Sequence, residues 1–465
     1  MSRDLKSILD MSRVSNRITV RIWEDLSAPS WQWDNKHPML PPNKGFFFLV
    51  LSVVLTAAGL AAVLLAEPKP SAFLPALFRQ DDKERPMQEV RALWVTRFDW
   101  MQTGEADPAK IDELVANAAS AGFNTIYFQV RAEADAYYDS NVEPWSRRLT
   151  GELGRDPGWD PLARLIGKAH TRGLQVHAYI NVYPLWTGCD VPPDNTSPRH
   201  LYYLLQDYHG TTDGKLNGAQ WSTNDAVYCL PYFRVSPASV MFDNHLLAVV
   251  KDLVQNNDID GIHLDHIRYA GEQASCDPVS EERFGEECFG SPGYGDWQRQ
   301  QINGTVEKLY KEVTTMNPQL WLTAAVWPVY RDVYGWGVNS AYDTYYQDPK
   351  AWLSSGNIDG VSPMIYTGSP DCNGTYFWTR ERWSILVDDY QQGGGGRYVI
   401  PGIGVNYCTS DDFAEIEARI EMARAKGSAG HAIFSYSSLL QKDYFDDLAE
   451  GPYSMPASVP PLPWH

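Results

Sequence analysis

Eight near-continuous apolar stretches, each followed by a helix-like segment, constrain what this chain can fold into. They are Arg91–Arg97, Asn124–Val130, Leu174–Ile180, Asp260–Asp265, Trp321–Trp327, Asp359–Tyr366, Tyr398–Gly404 and His431–Tyr436. A strand that is apolar throughout, rather than at every second residue, is buried on both faces. That is the condition of a parallel sheet covered by helices. The helix-like segments ending at Gly122, Gly173 and Gly427 begin near Asp or Pro and end on Gly, as capped helices do. Eight such units predict an α/β fold, a (β/α)8 TIM barrel of about 360 residues. An open doubly wound sheet is the rival. Against it, no GxGxxG or phosphate-binding loop follows the first strand, and the glycine run Gly393–Gly396 follows a helix pattern.

Ahead of the barrel, Gly45–Ala66 carries no charge and is dominated by Leu, Val, Phe and Ala. At about 1.5 Å per residue such a run spans a bilayer core. The organisation expected is a tail (1–44), a transmembrane helix or signal anchor (45–66), a Pro-punctuated linker (67–88), the barrel (89–447) and a Pro-rich tail (448–465). A start at Met39 with cleavage after Ala66 is the alternative, giving a secreted protein. Flanking Lys and Arg do not decide the orientation, but cysteine usage bears on it. All six cysteines (Cys189, Cys229, Cys276, Cys288, Cys372, Cys408) follow the span. This suits disulfides outside the cytoplasm, and proximity pairs Cys189 with Cys229 and Cys276 with Cys288. With 39 Lys plus Arg against 58 Asp plus Glu, the net charge is −19. That argues against a nucleic-acid partner and mildly favours neutral or cationic glycans over strongly anionic ones.

In a barrel the C-terminal strand ends and the loops after them build the site. There the sequence places Asp99 after the first strand and Arg131, Glu133 and Asp135 after the second. Asn181 and Tyr183 follow the third, Asp265, Arg268 and Tyr269 the fourth, and Tyr366 closes the sixth. Glycoside hydrolysis needs two carboxyl groups, one to protonate the leaving oxygen and one to act as nucleophile or base. Asp265 is the first choice, because a charge closing an apolar strand is costly without purpose. Glu133 and Asp135 compete for the second role, and a salt bridge to Arg131 is the structural alternative for each. Alternation puts His263 on the same side as Asp265, one layer deeper, where a satisfied core histidine is the plainer assignment. No metal-ligand spacing, nucleophile elbow or cofactor motif occurs, so neither metal nor cofactor is expected. The loop after the fifth strand gathers Trp327, Tyr330, Tyr334, Trp336, Tyr342, Tyr345, Tyr346 and Trp352. It is either a self-packed aromatic cluster or a platform for sugar rings, the latter led by Trp327 and Trp336 and extended by Trp145, Trp159, Tyr183, Trp186 and Trp221.

The stretches VRALWVTRFDW, FQVRAEADAYYDSNVEPWSRRLTG, DPGWDPLARLIGKAHTRGLQVHAYIN and DGIHLDHIRY resemble the bacterial glycosyl-hydrolase-like family ten, in order from Glu89 to Tyr436. The resemblance implies a TIM barrel, a glycan substrate and envelope association. Some members act on peptidoglycan glycan strands stripped of their peptides. Carried over by position, it points to Arg131, Asp135, Asn181, Asp265, Arg268 and Tyr269. Two departures stand out: Asn181 is followed by VYPLW, and the apolar span has no cysteine to take a lipid. The expectation is a membrane-anchored hydrolase of a cell-envelope polysaccharide working outside the cytoplasm. A catalytically silent glycan-binding or scaffold protein is the alternative.

Overall fold

In the computed structural model the described residues are 87–285, 287–366, 378–405 and 413–465. The apolar run 45–66, Cys372 and Cys408 lie outside them. Among the described residues no helix is long and apolar enough to cross a membrane.

The fold is an α/β fold built on one curled parallel sheet of nine strands. These are β1 (Val90–Val95), β2 (Thr125–Arg131), β3 (Gln175–Asn181), β4 (Gly261–Asp265), β5 (Trp321–Val326), β6 (Gly360–Pro363), β7 (Tyr398–Val399), β8 (Gly402–Gly404) and β9 (Gly430–Phe434). Their order is β7-β6-β5-β4-β3-β2-β1-β9-β8. The two ends of that order are successive pieces of one segment, so the sheet curls back on itself. Gly360 pairs with Tyr398 on one side, and Gly402 pairs with Ala432 on the other. The predicted seventh strand is split because Pro401 has no N–H to give; its carbonyl still accepts from Ala432 N at 3.1 Å. The arrangement is consistent with the eight-unit barrel expected.

Helices cover the outside. In α1 (Pro108–Ala121), Pro108 stands in the first turn, the Asp107 side chain accepts from Ala109 N, and Gly122 closes the helix at φ 89°. Ile111, Leu114, Val115, Ala118 and Ala121 make its buried stripe. Full burial of a residue like Ile111 contributes roughly 1.5–3 kcal/mol. On the strands, successive side chains divide between two cores. Leu93, Val95, Ile126 and Phe128 pack outward against the helices, while Ala92, Trp94, Tyr127, Tyr179 and Ala432 fill the interior.

The C-terminal stretch, expected as a tail without regular structure, docks against the N-terminal side of the sheet. Ala457–Ser458 pairs in parallel with Met87–Gln88, and Tyr453 is buried. Trp464 Nε1 and His465 Nε2 lie 2.7 and 3.1 Å from Asp359 Oδ1. No periodicity announces this, because single polar anchors hold the segment. Asp359 also pairs with Arg397 at 3.1 Å and accepts from Leu322 N at 2.7 Å. Asp359→Ala therefore leaves a largely buried Arg397 without its carboxylate. The expected loss is about 3–5 kcal/mol in urea unfolding, with KM unaltered because the mouth lies at the opposite end. A loss under about 1 kcal/mol would show that the tail is not anchored this way.

Candidate active site

The interior of the sheet builds a floor first. Trp94 Nε1 donates to His263 Nε2 at 3.1 Å, so the His263 proton sits on Nδ1, 2.8 Å from Thr323 Oγ1. Tyr127 stacks on the His263 ring with centroids 4.0 Å apart. Burial lowers the His263 pKa to about 3, keeping the ring neutral. It is the satisfied core histidine expected.

One layer above lies Asp265, register-paired with Asn181. Its Oδ1 accepts from His266 N at 2.5 Å and Arg268 Nη1 at 3.0 Å, and its Oδ2 accepts from Tyr179 Oη at 2.8 Å. Burial pushes this carboxyl up, but the neighbouring His266 and Arg268 charges and the hydrogen bonds pull it well below the ordinary range. His266 is itself pushed far down by burial. At neutral pH the stabilisation of the Asp265 anion therefore falls to Arg268, Tyr179 and the backbone N–H. Burial also raises the hydroxyl of Tyr366 well above its usual range, with the Asp265 charge adding to it. The Tyr366 ring stacks on Phe434 at 4.6 Å.

Glu133 is the counterpart. It is buried, with Oε1 3.1 Å from Arg97 Nη2 and Oε2 3.9 Å from Arg147 Nη2. Burial, reinforced by the Asp135 charge, nevertheless raises its pKa above the ordinary value. Arg97 Nη2 also lies 3.0 Å from the Tyr232 hydroxyl, whose ring centroid is 5.5 Å from that of His266. A chain of direct contacts therefore links Glu133 to the residue following Asp265. Each carboxylate is followed by a residue held in the left-handed region, Ala134 at φ 56° and His266 at φ 50°. Non-glycine residues adopt that conformation uncommonly, and Asp213, Asp225, Tyr346 and Asp443 share it elsewhere among the described residues. Two carboxyl groups with pKa values pushed apart can divide the acid and base roles of hydrolysis between them.

The other expected residues divide. Asp135 Oδ1 accepts from Glu133 N at 2.8 Å and Ala132 N at 3.3 Å, so it shapes the turn that presents Glu133. Arg131 makes no ion pair with Glu133 or Asp135. It is fully buried and bidentate to Glu143 at 2.8 Å, and it also bonds the Asn181 and Val182 carbonyls. All three of its nitrogens are engaged inside the fold, and the fully buried side chain presents no surface to the mouth. Asn181 Nδ2 holds the Ala132 carbonyl at 3.2 Å, while its buried Oδ1 has no partner. Tyr183 and Tyr269 are fully buried, the first against Phe242 and the second against Tyr346. Neither reaches the mouth. Asp99 ties the loop after β1 to the one after β9, accepting from Thr96 N, Ser435 Oγ and Ser437 N. It is a loop cap, with no free oxygen turned to a ligand.

The aromatic loop is mainly self-packed. Trp336 stacks on Tyr334 at 4.4 Å, and Trp327 meets Tyr345 at 4.3 Å. Tyr342 lies between Arg299 and Arg331, at 3.8 and 3.6 Å. Trp352 and, outside the loop, Trp186 and Trp221 are buried. Half-buried Trp327 lies under Arg268, with its ring centroid 5.8 Å from the guanidinium.

Sequence reasoning missed Tyr179, Tyr232 and Arg234 as site residues. The signal for Tyr179 was available: two residues before Asn181 on one strand, it shares that inward face. Tyr232 and Arg234 lie in an insertion after β3. There Pro184–Thr187 pairs antiparallel with Tyr232–Arg234, and the Cys189–Cys229 disulfide closes the ribbon. The expected Cys276–Cys288 disulfide is also formed. Glu281 makes with Cys276 and Cys288 a grouping of metal-ligand type, but both sulfurs are already bonded.

Comparison with known proteins places this geometry. The family described as Glycosyl hydrolase-like 10 matches residues 89–390. Glycosyl hydrolase YngK of Bacillus subtilis (strain 168) is 26% identical over 404 residues, covering 81% of this chain and 74% of that protein. Glycosyl hydrolase DigH of Escherichia coli (strain K12) is 26% identical over 312 residues, covering 61% of this chain and 66% of that protein. Among solved structures, the PgaB (BpsB) glycoside hydrolase domain from Bordetella bronchiseptica superposes with a TM-score of 0.52 at 14% identity. It covers 78% of this chain and 99% of that one, a likeness of fold alone.

Two outcomes are expected from this network. Arg131 and His245, 2.9 Å away, hold the Glu143 carboxyl at about 2 despite burial, which acts the other way. A depressed folded pKa contributes stability above the unfolded value of about 4.3, lost as pH falls through about 2. Glu143→Gln should therefore cost about 3–5 kcal/mol at neutral pH and flatten the acid limb of the stability curve. An unchanged acid limb would contradict it. Replacing Cys189 and Cys229 together by Ser removes a crosslink of sequence separation 40, worth about 4 kcal/mol in the loop-entropy picture. Activity measured well below the melting temperature should fall as well, since the ribbon carries Tyr232 and Arg234. Full activity with lowered stability would mean the ribbon has no part in the site.

Proposed function

Because the chain belongs to the glycosyl hydrolase-like 10 family, we propose that this glycoside hydrolase cleaves a cell-envelope polysaccharide such as peptidoglycan glycan strands, with Glu133 as general acid and Asp265 as the ionised partner. The observation that carries the assignment is the opposite displacement of the two pKa values within one connected network. Glu133 holds its proton for the leaving oxygen. Asp265, kept anionic by Arg268 and Tyr179, acts as nucleophile or base. Trp327 offers a ring beside Arg268 for a sugar face, and Tyr366 lies close to Asp265. The barrel lies outside the cytoplasm, anchored by Gly45–Ala66. The length and apolarity of that run support the location, as do the two disulfides. The structures behind the fold likeness fall below 25% identity, so the substrate rests on the family resemblance and on the site.

The test is reducing-end release by the full chain from peptide-free glycan strands and a panel of other polysaccharides. Glu133→Gln and Asp265→Asn should each lower kcat by about 10²–10⁴-fold. Asp135→Asn, which keeps an acceptor for the turn but removes a charge that helps to raise Glu133, should cost far less in kcat and move the basic limb to lower pH. A raised Glu133 pKa keeps its acid form to higher pH, so wild-type activity should decline as pH rises through that value. Glu133→Gln should lose this basic limb. Asp265, displaced downwards, should set no acid limb in the ordinary carboxylate range. Full release by both variants would remove the pair from the mechanism. Binding without release by the wild type would favour the silent glycan-binding reading.

A further inference from the structure

The mouth contains one cation that the acid–base reading leaves unused. Arg234 is 8% exposed, and its Nη1 has no hydrogen-bond partner. Its Nη2 lies 3.3 Å from His266 Nδ1, and Arg268 Nη2 lies 3.5 Å from the same nitrogen. Guanidinium groups only donate, so His266 Nδ1 is the acceptor and its ring proton is on Nε2. Two arginines thus converge on one neutral imidazole. Only Arg268 has a carboxylate, Asp265 at 3.0 Å. Arg234 has none within ion-pair distance among the described residues. Asp265 is near enough to act on it electrostatically, but its oxygens are already taken by Arg268, His266 N and Tyr179.

A buried guanidinium without an anion is strongly unfavourable unless something else is gained. Burial, and then repulsion from Arg268, lowers the Arg234 pKa to about 10, which still leaves it charged at neutral pH. The position is built rather than accidental. Arg234 pairs with Pro184 across the insertion ribbon, which Cys189–Cys229 closes at a Cα separation of 4.8 Å. Arg97, Arg234 and Arg268 are all buried there. Arg97 has Glu133 and Arg268 has Asp265, which leaves Arg234 as the guanidinium of the three without a carboxylate. The net charge of −19 does not describe this local arrangement.

We infer that Arg234 seats a carboxylate of the glycan, so that the site selects an acidic sugar beside the bond it cleaves. The inference rests on the proposed hydrolase site and names its substrate class. A planar carboxylate matches the guanidinium fork, and the free Nη1 supplies a donor that nothing in the fold uses. Two sources carry such a group: a lactyl ether on an amino sugar, and the ring carboxyl of a uronic acid.

The test is calorimetric binding to the full chain of two matched pairs. One is peptide-free peptidoglycan oligosaccharides with carboxyls intact or reduced to alcohols. The other is oligogalacturonates, intact or reduced. Reducing-end release is followed in the same samples. The expected result is at least tenfold tighter binding of the intact form in one pair, which also identifies the source. Arg234→Ala should abolish that preference while changing affinity for the reduced form less than twofold, and Arg234→Lys should restore part of it. Thermal melts of both variants report folding, and the reduced-form affinity serves as an internal control. Equal wild-type affinity within both pairs, absence of binding, or a preference surviving in Arg234→Ala overturns the inference. If reducing ends are still released in those cases, the hydrolase reading stands without it.

Discussion

Alternation inside the curled sheet is the constraint on which the site depends. Every second side chain of β3 and β4 faces inward, so His177, Tyr179 and Asn181 rise on one strand beside His263 and Asp265 on the next. The lower positions are filled by neutral groups that satisfy one another, as Trp94, His263 and Thr323 do. Charge is admitted only at the rim, where the loops supply Arg97, Arg268 and Glu133 as partners. A one-residue slip of β4 would exchange Asp265 for the core-facing Leu264, so register and chemistry are set together.

Much of this was legible in sequence because it rests on periodicity and local chemistry. The apolar runs located the strands to within a few residues, and Asp or Pro starts with Gly ends located helices such as α1. Asp265 was legible because a lone charge at an apolar strand end needs a reason. The role of Arg131 was not. Its partner Glu143 lies 12 residues on, and the competing carboxylates Glu133 and Asp135 are closer in sequence. Tyr183 and Tyr269 looked like rim residues, yet they pack on Phe242 and Tyr346 and lie buried. The aromatic loop shows the limit of composition: most of its rings satisfy one another or stack on arginines. The docked C-terminal segment was invisible because Asp359 anchors it through isolated hydrogen bonds.

Total charge and local charge part company in this molecule. The acidic excess belongs to the chain as a whole, whereas the mouth sets Arg97, Arg234 and Arg268 among the carboxyls of Glu133, Asp135 and Asp265. Burial gives these few charges their effect, since the same groups on the surface would be screened. It also explains how neighbouring carboxyls differ. Asp265 accepts donors on both oxygens and stays ionised, while Glu133 faces a neighbouring acid and keeps its proton more readily. The insertion after β3, closed by a disulfide, brings Tyr232 and Arg234 to this network from outside the barrel's repeating pattern.

The central claim is that these two carboxyls hold different protonation states over the working pH range. It is tested most directly by titrating ¹³C-carboxyl-labelled Glu and Asp in the full chain by NMR, with Glu133→Gln and Asp265→Asn spectra assigning the two signals. The account predicts a Glu133 signal that titrates above the ordinary glutamate range while Asp265 remains ionised throughout. A Glu133 already ionised at the acid end of the titration, or an Asp265 that takes up its proton first as pH falls, would contradict it.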